Sequence, residues 1–207
     1  MLQITEIYYS IQGESSFQGK PCIFIRLTGC DLRCTWCDTE YAFHGGKKYS
    51  IDQILEEIKK FKCELIEITG GEPLLQKDVF KLAQALIDNG YTVLLETGGH
   101  RSIKNIPKKV ITIMDIKCPG SGENAKNHLE NINHLKPHDE IKFVIADKKD
   151  FLWAKELVQT KLKNKRIQIH FSPVYKKLKP EELSQWILKS ALPVKMTTQL
   201  HKQLGLP

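Results

Sequence analysis

The chain has 207 residues, of which 41% are hydrophobic and 27% charged, so it can bury one substantial core and is short for two. Its formal net charge is +7, but the lysines lie in scattered pairs without aromatic residues between them, which favours a solvated basic surface over a nucleic-acid groove. We find no basic leader with an apolar core and no apolar stretch of membrane-spanning length. We therefore expect one domain over residues 1–207, located in the cytoplasm, with no nucleic-acid or membrane partner.

Short β-branched runs alternate with amphipathic segments along the chain. The runs predicted to be strands are 22–28, 65–69, 91–96, 110–115, 140–145, 166–171 and 194–197. The segments predicted to be helices are 51–61, 78–89, 124–134, 150–162 and 180–189. Ser50 with Gln53 has the pattern of a capping box at the start of the first helix, and Gly90 is a stop signal after the second.

Strand and helix alternate often enough to predict right-handed βαβ units around a parallel sheet. A complete eightfold barrel typically takes about 250 residues. We therefore expect an α/β fold in the form of an incomplete, splayed barrel of about six units, with parallel strands inside and helices outside. A flat, doubly wound sheet has the same periodicity and is the alternative.

Glycines, cysteines and polar residues collect where the predicted strands end. They form a cysteine-rich loop after the first strand, 70–73 after the second, 97–99 after the third, Lys117 after the fourth and 172–173 after the sixth. Barrel enzymes and open α/β sheets build their active sites at the carboxyl ends of their strands. Loops of this kind, converging on one face, predict an enzyme rather than a purely structural domain.

Three of the six cysteines, Cys30, Cys34 and Cys37, crowd into one loop. Three thiolates this close together can hold a soft metal centre, and no fourth ligand lies nearby at matching spacing. A structural zinc site normally has four ligands, and a catalytic zinc more often uses histidine, so the count of three is informative. From the residues alone, the loop could hold either an iron–sulfur cluster or zinc. Cys22 and Cys63 lie in apolar sequence and are interpreted as packing residues.

The C-x3-C-x2-C spacing after a first strand, with Trp36 before the last cysteine, resembles the radical S-adenosylmethionine superfamily. The resemblance implies that the three cysteines hold an oxygen-sensitive [4Fe–4S] cluster, that the methionine group of S-adenosylmethionine chelates the remaining iron, and that Trp36 packs beside them. Gly70, Gly71 and Glu72 resemble the superfamily element that contacts the methionine amine, and Gly99 is implied near the ribose and methionine.

Motifs outside this shared core resemble the 7-carboxy-7-deazaguanine synthase family from about residue 5 to the last residue. They are Ile11-Gln12-Gly13-Glu14, Phe24-Ile25-Arg26, Cys37-Asp38-Thr39, Glu96-Thr97-Gly98-Gly99 and His201-Lys202-Gln203-Leu204-Gly205. That family consists of lyases that convert 6-carboxy-5,6,7,8-tetrahydropterin to 7-carboxy-7-deazaguanine with loss of ammonia, toward queuosine and related deazapurines. The resemblance implies a homodimer, Mg²⁺ and an external electron donor such as flavodoxin or ferredoxin.

The resemblance also implies roles for individual residues, with Thr39 as the ligand of Mg²⁺. The implied substrate contacts are Ile11, Gln12, Gly13, Glu14, Arg26 and Thr97. The implied cofactor contacts beyond the shared core are Asp115, Ile116, Lys117, Ser172, Pro173, Val174 and Tyr175. These last stretches differ from the family's usual Ser-Pro-Lys and Gln-Pro, and Ser15 stands where the family usually has glycine.

Chemistry is compatible with two of these roles, since Glu14 can accept hydrogen bonds from a guanine-like edge and Arg26 can hold a carboxylate bidentately. A solvated loop carboxylate and a strand salt bridge are the respective alternatives. The given sequence ends at Pro207, and the family's chain ends at the substrate pocket, so we expect the Pro207 carboxylate to accept hydrogen bonds from pterin N–H groups. A frayed tail is the alternative.

Two other functions match parts of the sequence. A glycyl-radical activating enzyme would use the same cluster on a protein partner and would need a broad docking face in place of a pterin pocket. A zinc-dependent nucleic-acid-binding module would use the cysteines as zinc ligands.

Overall fold

A computed structural model describes residues 1–207, in which nine strands form a single sheet. The strands are β1 (Leu2–Ile11), β2 (Pro21–Leu27), β3 (Lys47–Tyr49), β4 (Leu65–Gly70), β5 (Thr92–Thr97), β6 (Ile111–Asp115), β7 (Glu140–Ile145), β8 (Gln168–Pro173) and β9 (Lys195–Met196). The α-helices are α1 (Ile51–Ile58), α2 (Val79–Asp88), α3 (Lys148–Thr160), α4 (Pro180–Ser190) and α5 (Leu200–Leu204). No helix combines the length and the apolar character needed to cross a lipid bilayer.

The strand order decides between the two predicted architectures. The order is β3-β1-β2-β4-β5-β6-β7-β8-β9. Strand β2 and strands β4 to β9 are parallel to one another and follow chain order. A doubly wound sheet reverses its strand order at a switch point, and this sheet does not. Because β3 and β9 are unpaired edges, the prediction of an incomplete α/β barrel is confirmed.

Side chains alternate between the two faces of each parallel strand, and the polar side chains of the strands collect on one of the faces. Ile23 and Ile25 of β2 and Ile66 and Ile68 of β4 belong to a core of 35 buried residues that also includes residues of the helices. The residues between them, such as Glu67 of β4, point to the concave inner face. The helices therefore cover the apolar outside of the sheet. The inside combines a small apolar cluster, which includes Phe24 and Ile113, with polar side chains.

Local signals place the first two helices as predicted. Ser50 Oγ accepts a hydrogen bond from Gln53 N at 3.1 Å, and Ser50 N donates to Gln53 Oε1 at 2.8 Å, which completes the capping box. Gly90 follows α2 with φ +87°, a conformation that costs glycine nothing.

The predicted helix 124–134 is wrong. This range contains two short 3-10 helices, Asn124–Lys126 and Leu129–Asn133. The Asn131 side chain donates to Arg101 O at 2.7 Å and accepts from Ile103 N at 3.1 Å. Asparagine side chains that bind neighbouring backbone compete with the helical hydrogen bonds, which explains the broken helix. Three elements, β1, β3 and α5, were absent from the prediction altogether.

Candidate active site

The loops at the carboxyl ends of the parallel strands surround one cavity of about 660 Å³. The predicted site residues that line it are Ile11, Gln12, Gly13, Glu14, Arg26, Cys30, Cys34, Trp36, Cys37, Thr39, Gly70, Gly71, Glu72, Thr97, Asp115, Lys117, Ser172, Val174, Tyr175 and Pro207. They come from every loop that the sequence singled out. Tertiary structure thus brings residues that are nearly 200 positions apart in sequence to the same space.

Gly99, Ile116 and Pro173 do not line this cavity. Gly99 has φ +69°, and a Cβ there would lie 2.9 Å from Met114 Cγ, so its glycine is required by backbone conformation and packing. Ile116 is a buried member of the apolar core. Pro173 lines a smaller neighbouring cavity. The roles of these three residues as cofactor contacts stay predictions.

The cysteine loop is held in place by distant parts of the chain. Thr35 N donates to Ser121 O at 3.0 Å, and Arg33 N donates to the Glu123 carboxylate at 2.7 Å. These bonds attach the loop to the 3-10 turns that follow β6. The path of the loop is therefore determined by the fold around it.

Cys30, Cys34 and Cys37 are unpaired, half-buried and face the cavity. No group of three His, Cys, Asp or Glu side chains converges on a point where a single metal ion could bind. A [4Fe–4S] cluster is larger than one ion and is held by cysteine thiolates, so this donor set, facing a wide cavity, fits a cluster. The other cysteines pack in or beside the apolar clusters: Cys22, Cys63 and Cys118.

Gly70 and Gly71 are needed because protein backbone approaches them. A Cβ at Gly70, which has φ +143°, would lie 2.2 Å from Leu27 O, and one at Gly71 would lie 2.2 Å from Gly29 O. The space beside these glycines is occupied by β2 and the start of the cysteine loop. The glycines thereby set the close distance between the cysteine loop and the carboxylate that follows them.

That carboxylate belongs to Glu72, which is only 1% exposed. Its oxygens accept hydrogen bonds from Leu74 N at 3.0 Å, Thr97 Oγ1 at 2.8 Å and Gly98 N at 2.8 Å. A carboxylate offers about four acceptor positions, so most of them are already used by the protein. Glu72 links the loops after β4 and β5 and keeps limited capacity for a ligand ammonium.

Asp115 and Lys117 form an ion pair at the end of β6, with Lys117 Nζ 2.8 Å from Asp115 Oδ2. Burial alone would lower the pKa of Lys117, but the charge of Asp115 outweighs it and the pKa is raised. Asp115 Oδ1 is buried without a hydrogen-bond partner in the wall of the cavity. Because an unpaired buried acceptor is costly, this oxygen fits a ligand hydroxyl or ammonium, both of which S-adenosylmethionine carries.

A second group of charged residues, which we call the carboxylate cluster, consists of Glu14, Glu67, Glu96 and Lys142. Lys142 Nζ donates to Glu14 Oε2 at 2.7 Å and also to Glu96 Oε1. Gln12 Nε2 donates to Glu67 Oε2. Glu67, Glu96 and Lys142 were not assigned a role in the site from the sequence, although Glu96 belongs to one of the family motifs. Each of the three interrupts an apolar strand at a position whose neighbours are buried. That polar interruption was the available signal.

Arg26 extends from β2 into the cavity beside two phenols. Its Nε donates to Glu6 Oε1 and its Nη2 to Tyr8 OH, both at 2.7 Å. Burial, above all, raises the pKa of Tyr8 to about 12, so the phenol stays neutral. Arg26 therefore forms the salt bridge that was the alternative interpretation and also lines the cavity. Its remaining guanidinium N–H groups are free to donate to an anionic ligand.

The C-terminal segment closes one side of the cavity. Leu200 N donates to Gly13 O at 2.9 Å, and His201 packs so closely that a Cβ at Gly13 would lie 1.9 Å from its Nδ1. Ser10 Oγ donates to Pro207 O at 3.2 Å. The segment is thus docked on the loop that follows β1 instead of being frayed.

Thr39 lies at the N-cap position of a short 3-10 helix, but its side chain makes no capping hydrogen bond. Its hydroxyl donates to Asp38 Oδ1 at 2.9 Å, and Lys202 pairs with the other oxygen of that carboxylate. Burial raises the pKa of Asp38, yet the Lys202 contact prevails and lowers it to about 2. Two oxygen donors, a hydroxyl and an ionised carboxylate, therefore stand side by side at the cavity.

Comparison with known proteins identifies the family. Residues 24–116 match the radical SAM superfamily. The 7-carboxy-7-deazaguanine synthase of Koribacter versatilis (strain Ellin345) is 47% identical over 221 residues, which cover 100% of this chain and 98% of the relative. The enzyme of the same name from Chlorobaculum tepidum is 43% identical over 209 residues, covering 100% and 95%. The crystal structure of QueE from Escherichia coli has the same fold, with a TM-score of 0.79 and 24% identity over 97% of this chain and 94% of that one.

The superfamily uses a [4Fe–4S] cluster and S-adenosylmethionine, and the matched range contains the cysteine loop and the turn that precedes Glu72. The relatives are similar over the whole chain, which includes the loops at both ends of the cavity. This chain is therefore a radical S-adenosylmethionine enzyme that belongs to the 7-carboxy-7-deazaguanine synthase family.

Proposed function

We propose that this chain converts 6-carboxy-5,6,7,8-tetrahydropterin to 7-carboxy-7-deazaguanine with loss of ammonia, toward queuosine and related deazapurines. The observation that carries the proposal is one continuous cavity with two chemically different ends. One end has three thiols, and the other has a carboxylate cluster and Arg26. A small, polar heterocycle that bears a carboxylate matches the second end.

At the thiol end, Cys30, Cys34 and Cys37 would hold the cluster, and Asp115 with its unpaired oxygen would bind a polar group of S-adenosylmethionine. When bound, these cofactors supply the one-electron chemistry that removes a hydrogen atom from the substrate. The chain's own contribution is to hold the substrate carbon at the correct place and to keep water away. Glu72 supports this end by joining the loops after β4 and β5.

At the other end, Arg26 would bind the substrate carboxylate, because its planar guanidinium can donate two parallel hydrogen bonds. Gln12, Glu14 and Thr97 would bind the pterin ring, whose 2-amino-4-oxopyrimidine edge has several N–H donors. Glu14 accepts a hydrogen bond from Gln199 at 2.8 Å, so the C-terminal segment helps to orient it. Pro207 is proposed as a further substrate contact on the same side of the cavity.

Anaerobic turnover tests the function. The iron-reconstituted protein, given S-adenosylmethionine, a reductant, Mg²⁺ and the carboxypterin alone, should form 7-carboxy-7-deazaguanine, identified by mass and absorbance. Product formed without any protein substrate argues against a glycyl-radical activating enzyme. Absence of the product, together with zinc and no visible iron–sulfur absorbance, would support the zinc-binding alternative instead.

We also propose that Mg²⁺ binds at Thr39, whose hydroxyl and neighbouring Asp38 carboxylate are hard oxygen donors of the kind Mg²⁺ prefers. Thr39→Ala should raise the Mg²⁺ concentration needed for half-maximal turnover by about tenfold, in the range of losses typical of perturbed metal sites, without changing iron content. A magnesium titration of turnover measures the effect. Thr39→Ser, which keeps the hydroxyl, is the matched control, and identical titrations for all three proteins would assign Thr39 to structure alone.

Further proposals concern assembly and supply of electrons. We propose one domain over residues 1–207, supported by the continuous sheet and the shared core. A homodimer and an electron donor such as flavodoxin or ferredoxin are proposed from family membership, and light scattering and donor substitution would test them.

A cytoplasmic location is supported by six unpaired cysteines, which a reducing compartment preserves.

A further inference from the structure

Lys142 is the most buried cation of the cavity that no proposed contact with a ligand explains. It extends from β7 into the barrel with a side chain only 7% exposed. Its ammonium bridges Glu14, on the loop after β1, and Glu96, on β5, and lies 4.0 Å from Asp115. An ammonium has three donors, so two are committed to these carboxylates.

The charges around Lys142 come from every neighbouring element. The groups that face Glu96 or Lys142 are Glu67 on β4, Asp115 and Lys117 at the end of β6, Glu14 and Asp38 from loops, and His201 on α5. Burial would lower the pKa of Lys142, but Glu14 and Glu96 outweigh it and the pKa lies well above its usual value. Lys142 is therefore a cation at neutral pH.

The three carboxyl groups of the carboxylate cluster are not equivalent. Burial tends to raise the pKa of Glu96, yet the charge of Lys142 prevails and lowers it, so Glu96 is ionised. Glu67 lies deeper, and burial followed by the charge of Glu96 raises its pKa well above the usual value. The charge of Lys142 thus favours the ionised form of Glu96, whereas burial favours the neutral form of Glu67.

We propose that Lys142 is a positioning residue, which holds Glu14 and Glu96 as a fixed pair of carboxylates whose free lone pairs accept the N–H donors of the pterin edge. This inference rests on the proposed function and deepens it. Each carboxylate keeps unused acceptor positions after bonding Lys142, and both line the cavity. Without the bridging cation, these two half-buried carboxylates, 18% and 28% exposed, would repel each other and turn apart.

The test compares Lys142→Met, which keeps length and removes charge, with Lys142→Arg, which keeps charge and adds volume. Binding of the carboxypterin to the holoenzyme is measured by anaerobic calorimetry across pH, with S-adenosylmethionine present and the cluster left oxidised so that no turnover occurs. Lys142→Met should bind at least about tenfold more weakly, the loss typical when one partner of a buried charge pair is removed. Lys142→Arg should stay within a few fold of wild type.

The pH dependence separates positioning from packing. Loss of the cation raises the pKa of Glu96, so the weakening of binding at acid pH should begin about one pH unit higher in Lys142→Met than in wild type. Lys142→Arg should keep the wild-type profile. Lys136→Met is the matched control, since Lys136 pairs with Asp139 at 3.3 Å outside the cavity, and it should leave both affinity and profile unchanged.

The opposite pattern, with Lys142→Arg impaired and Lys142→Met like wild type in affinity and profile, would overturn the inference and assign Lys142 to packing. Should Lys142→Met fail to fold, Lys142→Gln removes the same charge and replaces it in the test. Weaker binding with a shifted pH profile would support the inference, and wild-type affinity and profile would overturn it. Wild-type protein that neither binds nor converts the carboxypterin would instead contradict the proposed function.

Discussion

Replacing Cys34 with alanine should abolish the formation of 5′-deoxyadenosine from S-adenosylmethionine. The three thiols that face the cavity come from one loop, so loss of any one leaves a cluster-binding site with two ligands. Cys30→Ala and Cys37→Ala should have the same effect. The measurement is chromatography of anaerobic reactions with dithionite as the reductant, combined with iron content and visible absorbance of each variant.

Cys63→Ala is the control for this experiment. The Cys63 thiol is half-buried outside the cavity and can donate its one weak hydrogen bond to either Pro21 O at 3.3 Å or Leu65 O at 3.4 Å. Its loss should cost about 1 kcal/mol of stability or less and leave cofactor cleavage nearly intact. Retained 5′-deoxyadenosine formation in the Cys34→Ala protein would refute the cluster assignment.

Glu72→Gln should weaken the binding of S-adenosylmethionine by at least about tenfold, which corresponds to about 1.4 kcal/mol. The substitution replaces an acceptor oxygen with an N–H donor, so either the Gly98 N–H or another of the bonded donors loses its partner. A buried group without a partner costs about 1–3 kcal/mol, and the loops after β4 and β5 separate. Thermal unfolding measures the stability, and calorimetry with the holoenzyme measures the affinity.

Asp139→Asn is the matched control. Asp139 is another buried carboxylate, 1% exposed, that accepts from Thr112 N at 2.8 Å and Lys136 N at 2.7 Å, but it does not line the cavity. It should lose comparable stability and keep the wild-type affinity for the cofactor. Equal cofactor affinity in Glu72→Gln and wild type would mean that Glu72 supports the fold but has no influence on the cofactor site.

The order of the strands is the part of the fold that periodicity left open. Short β-branched runs that alternate with amphipathic segments predicted the parallel strands, because repeated strand–helix alternation is the pattern of βαβ units. The same runs are compatible with a strand order that reverses, as in a doubly wound sheet, and with one that follows the chain, as in a barrel. The side of the sheet on which each crossover helix packs decides between the two orders. The prediction of a helix at 124–134 failed for a related reason, since the Asn131 side chain binds the backbone of residues 99–103, which lie 28 to 32 positions earlier in the chain.

The residues of the site also divide into those that local sequence predicted and those whose contacts depend on the fold. Cys30, Cys34 and Cys37 were found because a short loop places all three donors together, and Glu72 was found because its turn is local. Lys142 follows β5 by more than 40 residues, so its contacts with Glu14 and Glu96 exist only after the barrel has formed. A lone lysine in a strand gives no indication of which carboxylates it will meet.

The sequence by itself determined the chemistry of the short loops and the α/β architecture, because spacing within a loop and periodicity within a strand are local properties of the chain. Tertiary structure alone decided the advancing strand order, the docking of the C-terminal segment on Gly13 and the ionised pair around Lys142. Each of these depends on distances between residues far apart in sequence and on the burial that changes their charge, which exist only in the folded chain.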